Sequence, residues 1–146
     1  MLSRARFLLF AFWWGALGAI GAVVVPLLFK SLELKETAGR VAASLFVWSA
    51  QLSLVCACLS VACALWVRSK PGKGSGASKS SVLPLGLLAL LVSAAMLWGI
   101  IPQIEAGENR ALWHAMGSLA FALMWLLSGA LLIQDAKRCF ESALQP

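Results

Sequence analysis

Residues 7–29 carry no charge over 23 consecutive positions. At a rise of 1.5 Å per residue, such a run makes a helix roughly 34 Å long, enough to cross a hydrocarbon core about 30 Å thick. Three more runs follow, at residues 41–67, 82–101 and 112–133. Few folds are open to a chain built this way. Backbone amides and carbonyls in lipid must bond within their own segment or around a closed ring of strands. Barrel strands alternate in polarity over about ten residues, and none of these runs alternates. The sequence therefore predicts an all-α membrane protein, a bundle of four transmembrane helices forming a single membrane domain over residues 1–146.

Composition agrees. Of 146 residues only 12% are charged and 61% are hydrophobic, where water-soluble domains average about a quarter charged. A surface so poor in charge would aggregate in water. The first run follows Arg4 and Arg6, which raises the alternative of a cleaved signal peptide. The run is longer than a signal core, and its best small-residue site (Ala19 and Gly21) is followed by more apolar sequence, so an uncleaved span is expected.

Between the runs lie residues 30–40, an acidic-basic hairpin, and residues 68–81, rich in Gly, Ser and Lys. The second composition reads as a flexible linker. Pro102 bounds the third run, residues 102–110 make the turn, and residues 134–146 form a polar tail. The N-terminal segment, linker and tail hold Arg4, Arg6, Arg68, Lys70, Lys73, Lys79, Lys137 and Arg138, against Lys30, Lys35, Arg40 and Arg110 in the other two loops. Positive-inside bias then puts both termini and the linker in the cytoplasm. This distribution accounts for the net charge of +6. Nucleic acid is not an expected partner, because the cations are not interleaved with stacking aromatics. Arg68, Lys70, Lys73 and Lys79 could contact anionic lipid, at about 1 kcal/mol each.

Lipid is as apolar as leucine, so membrane helices associate where small residues allow close approach. Ala43, Ala50, Ala57 and Ala64 recur every seven residues in the second run, with Ser53 and Ser60 between the last three. That is a left-handed seam with a mean spacing of about 3.5 residues. Ala11, Gly15, Gly18 and Ala22 form a similar ladder in the first run, and the two faces are expected to meet. Cys56, Cys58, Cys63 and Cys139 are expected as free thiols, since Cys56 and Cys58 would face different ways on one helix.

The segment WWGALGAIGAVVVPLLF, the hairpin after it and AGRVAASLF resemble the bacterial transmembrane protein 205-like family, catalogued as domain of unknown function 4149. The resemblance rests on the Pro26-to-Phe29 ending of the first helix, on Ala38, Gly39 and Phe46 in the second, and on Arg110 ahead of His114 in the last. It implies four helices and supplies no established activity.

Few residues could carry chemistry. His114 is the only histidine, and a bundle can hold haem on such a side chain, with Met96 or Met116 as the second ligand. The competing reading is a boundary histidine bonded to water or lipid headgroups. Glu105 and Glu108 could join it around a cation, although acidic loops are usually solvated turns. No Asp, Glu, Lys or Arg is expected inside a span, which weighs against an ion-driven transporter. Gln51 is expected to make an interhelical hydrogen bond, and Pro26 to kink the end of its helix. One histidine without a buried acid cannot form a nucleophilic triad, so no enzyme activity is expected. No cofactor and no metal site are expected either. The leading reading is an accessory or lipid-organising bundle whose partners are membrane lipids, with another membrane protein as a further candidate. The alternative is a haem-binding or redox-active membrane protein using His114.

Overall fold

Each apolar run is a helix, and each helix is longer than the run itself. In the computed structural model, which describes residues 2–69, 82–107 and 109–144, the first span is α1 (Leu2–Ala19), a π-helical turn (Ile20–Val24) and α2 (Val25–Ser31). The second is α3 (Lys35–Ser69). The third is α4 (Val82–Ala95), a second π-helical turn (Met96–Ile100) and α5 (Ile101–Ala106), and the fourth is α6 (Arg110–Leu144). Four helices are long and apolar enough to cross a membrane: Arg4–Ser31, Lys35–Arg68, Val82–Ala106 and Ala111–Arg138. Among the described residues there is no strand.

The helices outrun the boundaries read from sequence: α3 starts at Lys35, inside the supposed hairpin, and the third and fourth spans run on as well. The third span does not stop at Pro102, because a π turn ahead of the ring lets the helix run on into α5. The turn shrinks to a left-handed Gly107 (φ 80°) and Asn109 (φ 47°), whose carbonyl accepts the amide of Leu112 at 2.9 Å. Beyond residue 133 the chain stays helical to Leu144.

Both π turns stand two residues ahead of a proline. In a regular helix the ring of Pro26 would collide with the carbonyl of Ala22, and that of Pro102 with the carbonyl of Trp98. Lengthening one bond by a residue moves these carbonyls aside. The Val25 amide donates to the Ile20 carbonyl, and the Ile101 amide to the Met96 carbonyl. Pro26 thus widens its helix a turn before the end.

Antiparallel neighbours pair off, α3 along α4 and α1 along α6, with α4 also against α6. Ala50, Ser53, Ala57, Ser60 and Ala64 are buried on α3. Opposite them lies Gly86 of α4, where a Cβ would fall 2.8 Å from Ser60 Oγ and 3.1 Å from Val61 Cγ2. The buried serines bond their own helix, Ser60 to the Ala57 carbonyl (2.9 Å) and Ser93 to that of Ala89 (2.8 Å), so close packing leaves no orphaned hydroxyl there. Ala43 is exposed, while its neighbour Ala42 is buried.

The first ladder does not meet this seam. Gly15 and Ala22 are exposed, Ala11 and Gly18 half-buried. Gly18 and Gly21 serve α6 instead: a Cβ on Gly18 would lie 3.2 Å from Trp125 Nε1, and on Gly21 2.8 Å from Phe121 Cε1. The buried face of α1 is large, made of Phe10, Trp13 and Leu17. Bulk on one helix fills notches on the next. Trp13 donates to Ser53 Oγ at 2.9 Å, and Trp14 stacks on Trp125 at 5.7 Å and covers Gly129. Gln51 is exposed and has no hydrogen-bond partner among the described residues, because it lies about 100° around the helix from buried Ala50.

The expectation of spans without charge is also corrected. Asp135, assigned by sequence to the polar tail, is fully buried on α6 and pairs with Arg6 of α1. Arg6 Nε donates to Asp135 Oδ1 at 2.7 Å, and Nη2 reaches the same oxygen. Helix α6 simply continues past the apolar run and carries Asp135 inward.

Removing one partner of a buried pair leaves an uncompensated charge. Asp135→Ala is expected to destabilise the protein in detergent by about 3–5 kcal/mol, and Arg6→Met with Asp135→Leu by less. Thermal unfolding measures both. Gly86→Val should lose about 1–3 kcal/mol by overpacking, whereas Gly99→Val, with open space around it, serves as the neutral comparison.

Candidate functional site

The bundle opens at the end where α2 leads into α3 and α5 into α6. On α3, Glu36, Gly39, Arg40 and Ala43 are spaced three or four apart and share a face. With Ile104 and Glu105 of α5 and His114 of α6, they line a cleft of about 430 Å3. Gly39 and Ala43 contribute almost no bulk, which leaves the space between the helices unfilled.

The cleft leads into an apolar cavity of about 70 Å3. This shares Ala43, Ile104, Glu105 and His114 with the cleft and adds Phe46, Met96, Gly117 and Ser118 among its walls. Phe46 and Ser118 in turn border a groove of about 330 Å3 between the first and fourth spans, walled by Leu17, Gly18, Gly21, Ala22, Val25, Phe121, Ala122 and Trp125. Phe46 meets Phe121 edge-on at 5.1 Å and lines both the cavity and the groove. Each π turn contributes to this series of hollows, Gly21 and Ala22 from one and Met96 from the other.

The polar side chains of the cleft are uncommitted. Glu36, Arg40, Glu105 and His114 are exposed. Among the described residues Arg6–Asp135 is the one ion pair, so neither carboxylate is paired with Arg40. Hydrogen bonds here are local: Ser44 Oγ donates to the Arg40 carbonyl at 3.2 Å and Ser118 Oγ to the His114 carbonyl at 3.0 Å.

His114 and Met96 do line one cavity, but the two do not fit haem. At about 70 Å3 it is far below the roughly 300–1,000 Å3 of ordinary ligand pockets. Among the described residues no group of three His, Cys, Asp or Glu could hold a metal ion. Glu108, Lys70, Lys73 and Lys79 lie outside the described residues, and Arg68 is exposed at the opposite end of α3. Sequence reasoning missed Glu36 and Arg40, which it counted as loop charges. Their i, i+4 spacing ahead of Ala43 was the available signal.

Residues 8–112 match the family described as a domain of unknown function, DUF4149. This is more than half of the chain, and the chain belongs to that family. No curated protein and no solved structure matches it.

His114→Ala is expected to change stability by less than about 1 kcal/mol, as for exposed side chains outside special features. The purified protein is expected to show no Soret band. Thermal unfolding and a visible absorption spectrum check the two.

Proposed function

We propose that this member of the DUF4149 family is a non-enzymatic, multi-pass protein of the bacterial inner membrane that works by binding membrane phospholipid. Both termini lie in the cytoplasm in this reading, which the excess of cations in the N-terminal segment, linker and tail supports. The observation that carries the lipid assignment is a small apolar cavity that shares Ala43 and His114 with the polar cleft and Phe46 and Ser118 with the apolar groove. A phospholipid has the same order of parts, a charged head followed by chains. The groove lies between two membrane spans, where an acyl chain can enter sideways from the bilayer without crossing water.

Burial of each methylene from water is worth about 0.8 kcal/mol, but a chain moving from bilayer to groove gains none of that. Selectivity for the groove must come from close fit, as between helices, and from the head. Nothing in the cleft resembles catalytic machinery, since no nucleophile there is paired with a base.

The test is native mass spectrometry of protein extracted in mild detergent, comparing wild type with Ala22→Trp. Ala22 is exposed in the groove, so the indole should fill the groove and leave the fold intact. Wild type should retain phospholipid and the variant should not, at equal melting temperature. Equal retention by both proteins would overturn the proposal.

A further inference from the structure

We infer that the cleft selects a headgroup carrying both a phosphate and a primary ammonium, as in phosphatidylethanolamine. The inference rests on the lipid reading above and adds the chemistry of the head.

Of the side chains that line the cleft, Glu36 and Glu105 are anionic, Arg40 is cationic and His114 is the remaining titratable group. Among the described residues none of them makes an ion pair or side-chain hydrogen bond. Arg40 stands one turn from Glu36 on α3, an arrangement in which helix surface pairs commonly close, yet the two remain apart. Charges of both signs are therefore available at the mouth of one hollow.

A purely anionic head would meet Arg40 and leave both carboxylates, Glu36 and Glu105, without a counter-charge. A phosphate with a primary ammonium satisfies both signs. The guanidinium donates to phosphate oxygens in a forked geometry, and the ammonium has three N–H donors for carboxylate oxygens. A free carboxylic acid matches only Arg40. The apolar cavity shares Ala43 and His114 with the cleft, and Phe46 and Ser118 with the groove, so it links the surface for the head to the surface for the chain.

The experiment offers delipidated full-length protein either phosphatidylethanolamine or phosphatidylglycerol with identical acyl chains, and reads bound lipid by native mass spectrometry. Phosphatidylethanolamine should bind about fivefold better, the upper range for exposed ionic contacts. The double variant Glu36→Gln with Glu105→Gln should erase that preference and keep binding of phosphatidylglycerol. Arg40→Gln should weaken both lipids. Equal binding of the two lipids to wild type, or a preference that survives the double variant, overturns the headgroup assignment and leaves the groove reading standing. Loss of binding in Ala22→Trp with both lipids reports on the groove alone. A wild type that binds neither lipid overturns both.

Discussion

A proline inside a membrane helix frees a carbonyl that no water can reach, and that constraint shapes this bundle most. An unsatisfied backbone group in hydrocarbon costs several kcal/mol, so the helix must re-form its bonds around the ring. Here the repair is the same on two spans. Ile20–Val24 precedes Pro26 and Met96–Ile100 precedes Pro102, each closing a bond one residue longer than usual. A π turn is wider than an α turn and redirects the side chains after it. Both turns lie toward the same end of the bundle, and both border the hollows there.

The other end is closed by different means. Apolar side chains do not distinguish a neighbouring helix from lipid, so leucines alone cannot fix how α1 lies along α6. The Arg6–Asp135 pair can, because a displaced helix would strand a buried carboxylate. From that pair, contacts run along the two helices in antiparallel order: Trp14 over Gly129, Gly18 beside Trp125, Gly21 beside Phe121. Small residues receive large ones throughout. The groove runs beside these contacts from Leu17 and Trp125 to Val25 and Ser118, and Ala22 and Ala122 within it are too small to fill the gap.

The four spans were legible because helix length against bilayer thickness is a strong, local signal. The burial of Ala50, Ser53, Ala57 and Ser60 also follows from a seven-residue spacing on one helix. Which helix faces that seam was not legible, since an alanine ladder states that something comes close and not what. The first ladder misled for the same reason. Gly18 and Gly21 receive Trp125 and Phe121 of α6, a hundred or more residues away in sequence. Asp135 was hidden by its position just past an apolar run, where hydropathy reads a tail and helix continuation places an interior residue. Glu36 and Arg40 were hidden in the converse way, because α3 starts at Lys35 and turns a supposed loop into a helix face.

Charge is handled oppositely at the two ends, and the difference is physical. Asp135 is fully buried and requires Arg6, since burying a lone carboxylate is prohibitive. Glu36, Arg40 and Glu105 are exposed at a helix-hairpin end, where water and headgroups solvate them and no internal partner is needed. A charge paired within the protein is spent on structure. Charges of both signs left unpaired beside an apolar groove remain free to meet an outside molecule, and at headgroup depth the most abundant molecules with both a charged head and an apolar chain are the lipids themselves. Specificity at such a place must come from the sign and spacing of the charges, because every competing lipid offers much the same chain.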